Sequence, residues 1–127
     1  MKYKSILLID DDPEDIELFM EALRIVDKEI IFTSSTDALA TFEELHFGII
    51  SPDLIFVDFH MPILNGNRFH EMMQESDLLK NKPVILYSTY SIEAIQRFTK
   101  NAAPYRYFSK PNSFKELVSI LETLLKV

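Results

Sequence analysis

Three consecutive aspartates, Asp10, Asp11 and Asp12, follow the apolar run SILLI and precede a proline. Each carboxylate raises the cost of ionising its neighbours, so the run is either a solvated helix start or a place for a cation. Asp58, Ser88 and Lys110 close three further apolar runs, in LIFVD, VILYS and YFSK. Converging carboxylates offer hard oxygens that suit Mg2+. A lysine and a hydroxyl facing them can bond the oxygens of a phosphoryl group. Phosphoryl transfer needs positioning and charge neutralisation above all, and a carboxylate can serve as the nucleophile, forming an aspartyl phosphate. Taken singly, each residue has an ordinary reading: a capping acid, a turn residue, a helix-cap hydroxyl, a surface cation. Only a fold that brings them together makes them a site.

The elements that must do so are legible. Apolar runs at residues 5–9, 29–33, 54–57, 83–87 and 105–108 are short and mostly lack polar alternation, as strands buried on both faces of a parallel sheet do. Helical periodicity lies between them. Ile16, Phe19, Met20 and Leu23 form a stripe in a helix from Pro13 to about Val26, with Asp12 as N-cap and Pro13 at the first position. Leu39, Phe42 and Leu45 mark a second helix closed by Gly48 in a left-handed cap. A third runs from about Gly66 to Glu75 with Phe69 and Met72 or Met73 inside, and a fourth carries Ile92, Ile95 and Phe98. The last opens on the capping box of Ser113 and Glu116 and buries Leu117, Ile120, Leu121 and Leu124. Five strand–helix repeats predict an α/β, doubly wound, five-stranded parallel sheet of flavodoxin-like (βα)5 type with strand order 2-1-3-4-5. Its ligand crevice lies beyond the carboxyl ends of the strands, where Asp10, Asp11, Asp58, Ser88 and Lys110 all fall.

Bulk properties narrow the chemistry. The 127 residues suit one domain spanning 1–127, and the net charge of -7 with no basic cluster argues against nucleic acid and anionic membrane. There are no cysteines, which excludes disulfides and thiolate sites and accords with a cytoplasmic protein. With glycine only at positions 48 and 66, the chain lacks a dinucleotide-binding loop, and three acids after the first strand disfavour an anionic flavin.

In its motifs the chain resembles the receiver domains of two-component response regulators, single-domain members included. LLIDDDP matches that family's acidic pair, DLIFVDFHMPILNG its D-x-x-M-P-x-x-x-G block, PVILYS its strand ending in Ser or Thr, and YFSKP its Lys-Pro. The resemblance implies that Asp58 accepts a phosphoryl group in a Mg2+-dependent reaction. It implies direct metal binding by Asp11, water-mediated binding by Asp10, and a ligand from the main-chain carbonyl of His60. Ser88 would bond the phosphoryl group, Lys110 would pair with it, and Tyr107 matches the family's switch aromatic. The resemblance implies a cis Lys110–Pro111 bond, while the general preference of X-Pro bonds is trans, and the sequence leaves the two open. Asp12 lies outside the pair and remains a cap.

The function so implied is that of a signalling protein and not an enzyme. The donor would be a sensor histidine kinase or a histidine phosphotransfer protein, and the output an interaction with a downstream protein or a second copy of the chain through helix 4, strand 5 and helix 5. Tyr90, Tyr105, Tyr107 and the rotating row Ile92, Ile95 and Phe98 point to that face. The rival readings are a degenerate receiver used as a constitutive docking module, which usually lacks one of the residues present here, and a Mg2+-dependent small-molecule phosphatase, for which no enclosing loop exists. His60 and Tyr90, each two residues past a strand-end site residue, are expected at the rim, where they would shield an acyl phosphate from water.

Overall fold

Five parallel strands form one sheet in the order β2-β1-β3-β4-β5. They are β1 (Ser5–Ile9), β2 (Ile31–Ser35), β3 (Leu54–Asp58), β4 (Val84–Ser88) and β5 (Arg106–Ser109), alternating with α1 (Pro13–Val26), α2 (Ala38–His46), α3 (Gly66–Glu75), α4 (Ile92–Phe98) and α5 (Phe114–Leu125). This computed structural model describes residues 3–98 and 106–126; Tyr105 and the Phe98 side chain lie outside the described residues. The flavodoxin-like expectation holds in element order and topology.

Strand alternation divides the core into two layers. Leu7, Ile9, Ile55, Val57 and Leu86 point to the side covered by α2 and α3, where Leu45, Phe69 and Met73 meet them. Ile6, Leu8, Phe56, Ile85 and Tyr87 point the other way, against Phe19 and Leu23 of α1 and Leu121 and Leu125 of α5. The central strands β3 and β4 are buried at every position, which is why their sequences carry no polar alternation. Phe19 anchors the second layer, its ring edge-on to Phe56 at 4.9 Å between centroids.

Helix starts follow their caps. Asp12 accepts from the Glu14 amide at 3.0 Å with Pro13 at the first position, Asp37 accepts from Ala40 at 3.0 Å, and Ser113 accepts from Glu116 at 3.1 Å. Gly48 adopts φ +72° after α2, as its left-handed cap requires.

Three expectations need correction. The second strand occupies residues 31–35 and not 29–33, because Asp27 caps a turn by accepting from the Glu29 amide at 3.0 Å, and pairing begins only where the Ile31 amide reaches the Lys4 carbonyl. In α2, Leu39 faces solvent. Steps of three residues at about 100° each drift around the helix, so Ala38, Thr41 and Leu45 form the buried row instead, with Phe42 packed beside them. In α5, Leu121 and Leu125 are the buried pair, while Leu117, Ile120 and Leu124 are only half-buried. In α4, Ile95 is buried while Ile92 is exposed, as the rotation of that row requires.

Candidate functional site

Asp10 continues β1 by one residue: its amide donates to the Ser35 carbonyl at 3.0 Å, which extends the β1–β2 ladder and drives the side chain into the crevice. Asp58 ends β3 and Ser88 ends β4, both buried, so neighbouring strands deliver a carboxylate and a hydroxyl to the same edge. Lys110 follows β5, held by its amide on the Ser88 carbonyl at 2.7 Å. The residues expected at the strand ends therefore do come together.

Carboxylate oxygens of Asp10, Asp11 and Asp58 lie within 4.8 Å of one another. Asp10 is fully buried and its oxygens are already engaged. Oδ1 accepts from the Asp12 amide at 2.9 Å, while Oδ2 accepts from the Tyr87 hydroxyl and from Lys110 Nζ at 3.3 Å. Asp11 is exposed and Asp58 has its Oδ1 bonded by the His60 amide at 3.1 Å. Asp58 is engaged at both oxygens as well, Oδ2 by Lys110, so the geometry leaves all three as candidate ligands, and the division into direct and water-mediated binding rests on the family resemblance. This set of hard oxygens fits a small divalent ion that keeps part of its hydration. The contact from His60 that reaches Asp58 is its amide; a ligand role for its carbonyl rests on the family resemblance.

Lys110 Nζ binds three acids: Asp10 at 3.3 Å, Asp58 Oδ2 at 3.2 Å and Asp15 at 2.8 Å. It also sits 4.7 Å from the centre of the Tyr87 ring. Burial works against the ammonium, yet the Asp15 hydrogen bond and the charges of Asp58 and Asp10 outweigh it and raise its pKa. Burial likewise pushes the Asp58 carboxyl up, to about 6, against the opposing pull of Lys110 and the His60 amide. Burial, reinforced by the charge of Asp10, raises the Tyr87 hydroxyl. The Lys110–Pro111 bond is trans, the commoner state of X-Pro bonds and one of the two forms the sequence left open.

Asp15 and Tyr87 are the site residues that sequence reasoning missed. Each left a faint signal: an acid in the first turn of α1 one residue before its apolar stripe, and a polar-tipped residue within the otherwise apolar VIL run of β4.

At the rim, Ser88 Oγ accepts from the Tyr90 amide at 2.9 Å. The Tyr90 carbonyl in turn accepts from the Tyr107 hydroxyl and from Ser109 Oγ at 3.1 Å. Tyr107 also approaches the Ser88 carbonyl at 3.4 Å. The rings of His60 and Tyr90 meet edge to face, centroids 4.4 Å apart and planes at 88°. Beside Lys110 opens a cleft of about 160 Å3 lined by Leu18, Phe19, Phe114 and Leu117 among others, with Leu18 and Phe114 exposed.

The family profile of the response regulator receiver domain matches residues 6–122. The polar-differentiation response regulator DivK of Brucella ovis is 24% identical over 123 residues, covering 96% of each chain. Among solved structures, the phosphorylated cyanobacterial phytochrome response regulator RcpA superposes with a TM-score of 0.81 at 24% identity, covering 96% of this chain and 91% of its own. The Mn(2+)-bound form of another response regulator gives a TM-score of 0.80 at 23% identity, covering 95% and 91%. Among the described residues no helix is long and apolar enough to cross a membrane.

Proposed function

The chain belongs to the response regulator receiver family of two-component signal transduction, and from that premise we propose that Asp58 is its phosphoacceptor and phosphorylation its signal. The observation that carries the reading is the placing of Lys110 Nζ 3.2 Å from Asp58 Oδ2, at the edge of a carboxylate cluster 4.8 Å across. A phosphohistidine or small acyl phosphate supplies the phosphorus. An oxygen of Asp58 attacks it and forms the new P–O bond, and the bond to the leaving imidazole or acid breaks with its electron pair.

Asp11 and Asp58 would hold Mg2+ directly and Asp10 through water. The bound ion would neutralise charge on the phosphoryl oxygens. The chain's own groups do the rest. Lys110 pairs with a phosphoryl oxygen, and the Ser88 hydroxyl, whose oxygen accepts from Tyr90, keeps its hydrogen free to donate to another. Drawing Ser88 inward pulls on the Tyr90 backbone, and Tyr90 carries Tyr107 and Ser109 of β5 with it. The chemistry thereby reaches the α4–β5–α5 face, where Tyr90 and Ile92 are exposed, as the surface for a downstream protein or a second copy of the chain.

A protein donor, a histidine kinase or phosphotransfer protein, suits the surroundings better than a small substrate. The crevice has an apolar shelf formed by Leu18 and Phe114 beside Lys110, which a docking helix can cover. The test is intact-protein mass spectrometry with acetyl phosphate: one phosphoryl group is gained with Mg2+ and none with EDTA. Equal labelling in both would overturn the metal-assisted reading.

A further inference from the structure

Of the three carboxylates around Lys110, Asp10 and Asp58 belong to the cluster assigned to the metal and Asp15 does not. Yet the contact to Asp15 is the shortest, at 2.8 Å. Asp15 comes from the first turn of α1 and is half-buried, so it approaches from the outer side of the crevice, while Asp10 and Asp58 lie within. The other side of the ammonium is fixed by the Tyr87 ring. That ring is stacked on Phe108 at 5.4 Å and 17° and tied through its hydroxyl to Asp10.

An ammonium has three N–H donors, and here each has a carboxylate. Asp10, Asp11 and Asp58 would hold a divalent ion, two of them being acids on which Lys110 also depends, and the two cations would repel at close range. Of the three partners of Lys110, Asp15 alone stands outside that cluster.

We propose that Asp15 is a positioning residue for this site: it gives Lys110 an anionic partner outside the metal-binding acids, so that ammonium and divalent ion occupy the crevice together instead of competing for Asp10 and Asp58. The proposal rests on the phosphoacceptor reading above and goes beyond it, since that reading gives Asp15 no part. Without the Asp15 charge, Lys110 has only metal-binding carboxylates for charged partners and settles between them. The ion must then displace it.

The test is a Mg2+ titration of the full chain followed by backbone amide shifts of Asp11 and His60, in the wild type, Asp15→Asn, Lys110→Met and the double variant. Asp15→Asn is expected to weaken Mg2+ binding about fivefold when Lys110 is present and less than about twofold in the Lys110→Met background, a coupling expected only of groups in contact. Asp15→Glu should recover most of the loss, and Asp15→Ser should repeat the effect of Asn. A loss of the same factor in both backgrounds would mean long-range charge alone and would overturn the proposal, as would no loss at all. A wild type that binds no Mg2+ would overturn the metal reading of the site itself, and the proposal with it.

Discussion

A Cβ placed on Gly66 would lie 2.5 Å from the backbone carbonyl oxygen of Asp58 and 2.9 Å from the Cα of Phe59. The first residue of α3 is thus pressed against the end of β3, and its amide donates to the Phe59 carbonyl at 3.1 Å. Positive φ in this turn falls on Ile63, at 68°, and Gly66 is required for closeness. Both contacts are with backbone, which cannot rotate away. Gly66→Ala is therefore expected to cost about 1–3 kcal/mol, read as a lower urea midpoint with unchanged slope. A midpoint equal to the wild type would show that the turn yields freely.

Burial sets a pH dependence of stability through Asp58. Its carboxyl titrates near 6 in the folded chain against 3.8 as the ordinary value. Between those values the native state binds more protons than the unfolded one, so the contribution favours folding at low pH and is lost as pH rises through about 6. In EDTA, Asp58→Asn should be more stable than the wild type at pH 7.5 by about 2–3 kcal/mol, with the gap closing toward pH 4. Urea denaturation at both pH values measures it, and an equal gap at the two would contradict the assignment. For the same reason Mg2+ must displace a proton below about pH 6, where its affinity should fall roughly tenfold per pH unit.

The edge-to-face contact of His60 and Tyr90 joins the loop after β3 to the loop after β4, two residues past Asp58 and Ser88. Neither ring is a carboxamide or carboxylate able to orient an attacking water, and the proposed role of the pair is to narrow that water's approach. Tyr90→Glu combined with His60→Asn should shorten the lifetime of the phosphorylated chain by about threefold or more. Decay no faster than the wild type would remove the shielding role.

Ser88 and Tyr107 meet through the Tyr90 backbone, whose amide donates to Ser88 Oγ and whose carbonyl accepts from the Tyr107 hydroxyl. Ser88→Ala should still accept phosphate but fail to transmit it. The amide shifts of Tyr90 and Tyr107 seen on phosphorylation of the wild type should be largely absent from the variant. Identical shifts in both proteins would break the proposed link from acceptor to β5.

Much of this arrangement was legible because strand ends are. Asp58 and Ser88 close the apolar runs of β3 and β4, and Asp12 with Pro13 marks the start of α1 unambiguously. β2 was misplaced by two residues because an edge strand does not need apolar residues: its Thr33, Ser34 and Ser35 pair through the backbone with Leu7, Leu8 and Ile9 while reading as a loop. Asp15 and Tyr87 were missed for a different reason. Their partners lie 95 and 77 residues away, and no local period marks a residue whose role is a contact made only in the folded crevice.

The central claim is that one carboxylate, Asp58, takes the phosphoryl group. Acetyl phosphate with Mg2+, followed by intact-protein mass spectrometry, should add one phosphoryl group to the wild type and none to Asp58→Asn, while Asp11→Asn is labelled only weakly for want of the metal. Labelling of Asp58→Asn to the extent of the wild type would contradict the account.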